Sequence, residues 1–249
     1  LSASQDIVFD AYRAEVLDRA DRDAGVTVSV LGYRIAMIVS GGLALIIADN
    51  WLGWHATYWL MAAFMLVGVA AAWSAPEPAS ASESPASLIS AVRDPIRELL
   101  DRPAVLALVV LIVLYKLGDV FAASLSTTFL IRGVGFTPSE VGAINKVIAT
   151  ASVIAGTALG GVLLIRLGLF RSLLWFGALQ AVTNLGFAVL AASEKSYAML
   201  VTVVGLENIC GGMGTTAFVA LLIALCDKRF TLMQYALLSA ASALGRVYV

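Results

Sequence analysis

Charged residues are scarce in this sequence of 249 amino acids. Asp, Glu, Lys and Arg make up 13% of the residues and hydrophobic residues make up 60%, whereas soluble domains carry about 25% charged residues. Because so few charges cannot cover so much apolar surface in water, we expect the chain to be surrounded by lipid. The net charge of −1 and the lack of a basic stripe give no indication of nucleic-acid binding.

Histidine and cysteine are also nearly absent, which argues against catalytic and metal sites. His55 is the only histidine, and we expect it in a loop among tryptophans. Cys210 and Cys226 have no Cys or His neighbours at ligand spacing. We therefore predict no catalytic residue, metal, cofactor or disulfide. An intramembrane enzyme would need a metal cluster, a nucleophile with a base, or paired aspartates on two helices, so an enzyme or a scaffold is the less favoured alternative.

Apolar runs long enough to cross a membrane recur along the chain, since a spanning helix needs about 20 residues. We therefore predict an all-α, polytopic membrane protein. The first run is interpreted as the tail of a helix and the last as the start of another, so we expect the sequence to be a piece of a longer chain. The predicted segments are 1–16, 26–48, 58–73, 104–131, 141–165, 172–192, 197–226 and 232–249.

The prolines all fall between these segments. Residues 76–102 are rich in Ala, Ser and Pro and then become amphipathic, which predicts a flexible linker followed by a short surface helix. This linker divides the segments into two groups. Thr137, Pro138 and Glu140 form the pattern of a helix start, with Thr137 as N-cap and Glu140 completing a capping box.

Most lysines and arginines lie in one set of alternate loops. That set includes the linker, while the other set holds only Arg132 and Lys195. Because positively charged loops stay in the cytoplasm, we predict a cytoplasmic linker. The loops at 50–55, 133–138 and 193–196 are then predicted to face outward.

Lys116 and Asp119 interrupt the apolar segment 104–131 near its middle. An ionisable group at the bilayer centre costs roughly 2.5–3.5 kcal/mol on insertion scales. Residues three apart share a helix face, so we expect the two side chains to reach each other. The pair is either a structural ion pair or a functional one, in which Asp119 titrates or binds substrate and Lys116 tunes it.

Asp6, Asp10 and Arg13 line one face of the first helix at spacings of four and three. Two nearby carboxylates in a low dielectric hold a shared proton more readily, which is how a carboxylate becomes a proton carrier. The alternative is that Asp10 and Arg13 form an ion pair at the cytoplasmic end of the helix.

Residues 207–216 (ENICGGMGTT) combine two polar side chains, Glu207 and Asn208, with three glycines. The stretch is either a broken helix at a substrate site or a site of close helix packing through small residues. Further polar residues within the segments are candidates for an inward-facing site: Arg34, Asn145, Lys146, Asn184 and Arg246.

Several stretches together resemble the AmpG muropeptide permease family, a branch of the major facilitator superfamily. The resemblance extends over essentially the whole chain. The stretches are 4–12 (SQDIVFDAY), 31–45 (LGYRIAMIVSGGLAL), 115–119 (YKLGD), 129–136 (FLIRGVGF), 207–214 (ENICGGMG) and 235–249 (YALLSAASALGRVYV).

The resemblance implies a bundle of two six-helix halves, of which this sequence carries about the fourth to the eleventh helix. Residues 1–75 would close the N-terminal half, 76–102 would be the cytoplasmic linker, and 103–249 would hold helices seven to eleven. The family imports N-acetylglucosaminyl-1,6-anhydro-N-acetylmuramyl peptides with protons across the bacterial inner membrane, for peptidoglycan recycling and β-lactamase induction. We accordingly expect a monomer in the lipid bilayer, with anhydromuropeptide and protons as its partners.

The resemblance also assigns roles to the polar residues. Asp6 and Asp10 are the leading proton-coupling carboxylates, with Asp119 as a third. The predicted substrate-binding residues are Arg34, Lys116, Asn145, Lys146, Glu207, Asn208 and Arg246. Relatives that move acetyl-CoA share the Gln-Asp-Ile-x-x-Asp core of residues 5–10, so acetyl-CoA or another large anion is the alternative substrate.

Overall fold

The computed structural model describes residues 2–17, 21–77, 87–227 and 229–248. This described part is helical and contains no strand, as the long apolar runs predict. Four single π-helical turns, at Val39–Leu43, Ala48–Leu52, Phe129–Gly133 and Asn145–Ala149, continue the helices that they follow. The α-helices are α1 Ser2–Val16, α2 Arg22–Ile38, α3 Ala44–Ile47, α4 Gly53–Ser74, α5 Leu88–Leu100, α6 Val105–Thr128, α7 Pro138–Ile144, α8 Thr150–Leu167, α9 Leu169–Ala192, α10 Tyr197–Leu225 and α11 Thr231–Tyr248.

Five helices among the described residues are long and apolar enough to cross a membrane. They match five of the predicted segments. The predicted segment 26–48 is helical but is not one of the five. The five are Ala48–Ser74, Val105–Gly133, Pro138–Leu167, Leu169–Ala192 and Tyr197–Leu225.

The prediction that residues 50–55 form a loop is wrong. Residues Ala48–Leu52 form a π-helical turn and α4 begins directly at Gly53, so His55 lies in the first turn of a helix rather than in a loop. The backbone departs from helical geometry at Gly53, whose φ of 68° lies in the region that favours glycine. A single glycine therefore replaces the expected loop, and the fourth helix gains the length that residues 58–73 lack.

The helix start at Thr137 is confirmed. Thr137 adopts an extended conformation, its hydroxyl accepts from the Glu140 backbone N–H, and the Glu140 carboxylate accepts from the Thr137 backbone N–H. Pro138 occupies the first turn, where its missing N–H leaves no bond unmade.

Helix α10 is the centre of the bundle, with α8 on one side and α9 on the other. Glycines let α8 and α10 approach closely. A Cβ added to Gly156 would lie 2.1 Å from the Ile209 carbonyl oxygen, and one added to Gly212 would lie 2.5 Å from that of Val153. Close packing through small residues is confirmed for this stretch, and the alternative of a broken helix is wrong, because α10 runs unbroken from Tyr197 to Leu225.

The other helices pack around this centre. Helix α2 lies against α8, α6 lies against α11, and α11 also contacts α1 and α5. Helix α4 differs, because Thr57 is its only buried residue and large apolar side chains such as Leu66 and Trp73 are exposed along it. A helix that is apolar all round contacts lipid or other apolar helices.

The described part of the linker contains α5. Its predicted surface helix is confirmed, with Ser87 accepting from the Ser90 backbone N–H at the N-cap. Other residues used in the sequence predictions lie outside the described ones: 78–86 of the flexible linker, Arg19 and Lys228 among the loop cations, and the terminal Leu1 and Val249.

Candidate functional site

Lys116 and Asp119 form the predicted ion pair near the middle of the span Val105–Gly133. Lys116 Nζ lies 2.7 Å from Asp119 Oδ2, and the two side chains are 21% and 20% exposed. Helix α6 is otherwise almost entirely apolar, so each charge has the other as its main intrahelical partner. The pair lies too far from either end of the helix for the lysine to reach bulk water easily.

Gln180 of α9 completes this pair from a second helix. Its Nε2 donates to Asp119 Oδ1 at 2.5 Å, and the residue is only 7% exposed. Asp119 thus accepts from an ammonium and from an amide, one on each carboxylate oxygen. Gln180 was not among the predicted site residues. An amide inside an apolar segment is nevertheless a signal, because buried polar side chains in membrane helices hydrogen-bond to neighbouring helices.

Glycine in α10 makes room for this polar cluster. A Cβ on Gly214 would lie 3.0 Å from Gln180 Oε1 and 3.6 Å from the Tyr115 hydroxyl. Tyr115 stacks on Phe218 of α10, with ring centroids 5.6 Å apart. The Tyr115 hydroxyl is buried and has no hydrogen-bond partner among the described residues, so an unused polar group lies one residue from Lys116.

Glu207 and Asn208 extend the cluster along α10. Both are partly buried, and Asn208 Nδ2 donates to Glu207 Oε2 and to the Val204 carbonyl, each at 2.8 Å. The Glu207 carboxylate is close enough to Asp119 for their charges to interact. The structure therefore brings together polar groups from three helices that the sequence separates widely: Lys116, Asp119, Gln180, Glu207 and Asn208.

Asp10 and Arg13 form a second ion pair within α1, the helix that contacts α11. Arg13 Nη2 lies 2.8 Å from Asp10 Oδ1, so these two residues make the predicted contact. The side chain of Tyr235 of α11 lies close enough to the Asp10 carboxylate to interact with it. Asp6, one turn earlier, is exposed.

The remaining predicted residues lie elsewhere. Asn145 and Lys146 are exposed on the π-helical turn after α7, and Arg34 is partly buried on α2. Arg34 Nε and Asn184 Oδ1 are buried without a hydrogen-bond partner among the described residues. Arg246 belongs to α11, but its side chain lies outside the described set.

Comparison with known proteins identifies the family to which this chain belongs. The Major Facilitator Superfamily profile matches residues 1–249. The chain is 54% identical over 248 residues to the anhydromuropeptide permease of Escherichia coli strain K12, an alignment that covers 100% of this chain and 50% of that protein. It is 30% identical over 250 residues to "Putative transporter AmpG 4" of Rickettsia conorii, covering 98% of this chain and 60% of that protein.

The resemblance to the AmpG permeases noted in the sequence is confirmed by these identities. The chain spans about half the length of the E. coli relatives that it matches. The family profile covers the whole chain, and the chain belongs to the major facilitator superfamily.

Proposed function

We propose that the full-length protein is a proton-coupled secondary transporter that imports anhydromuropeptides from the periplasm to the cytoplasm. The observation that carries this proposal is the 54% identity, along the entire chain, to an anhydromuropeptide permease. The same relatives favour a muropeptide over acetyl-CoA. Import of these sugar-peptides would supply peptidoglycan recycling and the signal for β-lactamase induction.

The substrate would meet polar groups of the α6–α9–α10 cluster. A muropeptide carries carboxylates on its peptide and hydroxyls and amides on its sugars. Lys116 offers a cation in the middle of a span, Glu207 and Asn208 offer hydrogen bonds, and the Tyr115 hydroxyl is without a partner among the described residues. The other predicted contacts lie on other elements: Arg34 on α2, Asn145 and Lys146 on the π-helical turn before α8, and Arg246 on α11.

Asp119 is the proton-coupling residue that the geometry supports best. While it is ionised, Asp119 holds the Lys116 ammonium at 2.7 Å. A proton on Asp119 removes that attraction, and the Lys116 charge becomes available to a carboxylate of the substrate. Gln180 keeps the acid in place through both steps. Asp6 and Asp10, the alternatives, lie on α1, and Asp10 is already engaged by Arg13 and Tyr235.

The arrangement in the membrane is part of the same proposal. Residues 1–75 and 103–249 belong to two halves that alternate access to a site between them. The linker at 76–102 lies in the cytoplasm, and the protein is a monomer of the inner membrane. Positive-inside charge supports this orientation.

Uptake by sealed vesicles tests the proposal. Vesicles containing the full-length protein are diluted into acidic buffer with radiolabelled N-acetylglucosaminyl-anhydro-N-acetylmuramyl tripeptide. We expect accumulation that a protonophore abolishes and that excess acetyl-CoA does not inhibit. Accumulation that is unchanged in the presence of the protonophore would refute proton coupling. Transport of acetyl-CoA without transport of the muropeptide would refute the substrate.

A further inference from the structure

Helix α5 has one face fixed to the bundle. Arg102, just after the helix, donates from Nη2 to Glu98 Oε2 at 2.8 Å and from Nη1 to the Leu225 carbonyl at 2.5 Å. Gln234 of α11 is fully buried and donates to the same Glu98 carboxylate. Pro95 and Leu99 are buried on this side. The network holds α5 against the ends of α10 and α11 and fixes which way its other face points.

That other face is apolar and uncovered. Ile89 is 76% exposed, Leu100 63% and Val92 47%. At 100° per residue these three side chains fall within one stripe of the helix, with Ile96 between them. The stripe is too exposed to belong to the core, and it lies next to the buried side rather than opposite it.

Two arginines border the apolar stripe. Arg93 and Arg97 lie next to the stripe, on the side away from the buried face, and both are exposed. Arg97 Nε lies 3.7 Å from Asp101, but both side chains are more than 70% exposed. Such a surface pair contributes about 0–1 kcal/mol, so an anion can replace the aspartate. The exposed acid within the helix, Asp94, lies beyond Arg97 on the side away from the stripe.

The position of α5 in the chain indicates that its apolar face lies at the membrane surface. Helix α5 lies in the chain between the spans Ala48–Ser74 and Val105–Gly133, and α6 begins only a few residues after Leu100. Both ends of the linker therefore start at the membrane surface, and α5 is fixed there. An apolar stripe with adjacent arginines is the pattern of a helix that lies in the interface of an anionic bilayer.

We propose that α5 binds an anionic phospholipid, with the headgroup phosphate at Arg93 and Arg97 and the acyl chains along Ile89, Val92 and Leu100. The same residues line one groove on the surface of the helix. This interaction is separate from substrate transport and does not depend on which solute is carried. Arginine suits a phosphate because its planar guanidinium forms two parallel hydrogen bonds.

Photo-crosslinking to the full-length protein tests the proposal. A diazirine-bearing phosphatidylglycerol is titrated into the purified protein, and label on the peptide 88–102 is measured by mass spectrometry. We expect half-saturation to rise about thirty-fold in R93Q/R97Q, because each arginine near an anionic surface contributes about 1 kcal/mol and 1.4 kcal/mol corresponds to tenfold. R93K/R97K should stay close to the parent protein, because it keeps both charges.

The controls separate lipid recognition from general damage. R166Q/R171Q removes two other exposed arginines and should leave the labelling of 88–102 unchanged. On the unaltered protein, unlabelled phosphatidylglycerol should displace the probe and phosphatidylethanolamine should not, and high salt should weaken labelling by screening. Equal competition by the two lipids, or unchanged half-saturation in R93Q/R97Q, would overturn the proposal.

Discussion

Two ion pairs in this molecule are built alike and placed differently. Lys116–Asp119 and Asp10–Arg13 both join residues three apart on one helix, at 2.7 and 2.8 Å. A side chain from another helix lies beside each pair: Gln180 donates to Asp119, and Tyr235 interacts with Asp10. The first pair lies near the middle of a 29-residue span, and the second lies close to the end of α1.

The difference in depth separates the two roles. A pair near a helix end can reach water or headgroups, so it can hold α1 against α11 at little cost. A pair at the centre of a span is far from bulk solvent, and protons can reach it only through a polar path inside the protein. For this reason the central pair is the better candidate for coupling, and the other is the better candidate for a structural contact.

The largest effect is expected from Asp119→Ala. Removing the carboxylate leaves the Lys116 ammonium unpaired in an apolar span, and breaking a buried pair in this way costs on the order of 3 kcal/mol. The double variant K116A/D119A removes both charges and should recover most of this loss. Thermal unfolding in detergent measures the stability of the single and the double variant. Equal destabilisation of the two would mean that Lys116 and Asp119 are not energetically coupled.

Gln180→Leu is expected to have a smaller effect. Its amide donates to a charged carboxylate, and hydrogen bonds to charged groups contribute about 1.5–3 kcal/mol. Leucine keeps the size of the side chain but not the donor, so the loss should be about 2 kcal/mol. Thr183→Val, on the same helix, is the matched control, because its hydroxyl donates to the local Gln180 carbonyl and interacts with Cys210 rather than with Asp119. Equal losses in the two variants would show that Gln180 acts through α9 alone.

The smallest effects are expected on α1. Asp10→Asn keeps the hydrogen-bonding shape beside Arg13 and Tyr235 and should cost about 1 kcal/mol. Asp6→Asn changes an exposed residue and should stay within about 0.5 kcal/mol. Denaturation in the same detergent measures the loss of stability in each of the two variants. A larger loss for Asp6→Asn than for Asp10→Asn would reverse the assignment of the structural contact.

The helices could be predicted from the sequence because length and hydropathy are local properties. The capping box at Thr137 is also local, and it was found. The loop at 50–55 was predicted wrongly, because a polar and aromatic stretch with a glycine looks like a loop. The chain instead departs from helical geometry at Gly53 and is helical on both sides of it.

The site could be predicted only within each helix. Spacing of three residues is enough to pair Lys116 with Asp119 and Asp10 with Arg13. Nothing in the sequence says that Gln180 of α9 faces Asp119 of α6, because that contact depends on how helices pack around α10. The glycines of α10 show the same limit: their number predicts close packing, but the partners on α8 come only from the fold.

Gradient-driven uptake by Asp119→Asn tests the central claim most directly. Asparagine keeps the size of the side chain and can still accept from Gln180, but it cannot carry the proton. Vesicles with this variant of the full-length protein should fail to accumulate labelled anhydromuropeptide under a proton gradient, while still exchanging labelled for unlabelled substrate. Vesicles with the Asp10→Asn variant should accumulate the labelled substrate as vesicles with the parent protein do. Normal accumulation by Asp119→Asn would contradict the assignment of Asp119 as the coupling residue.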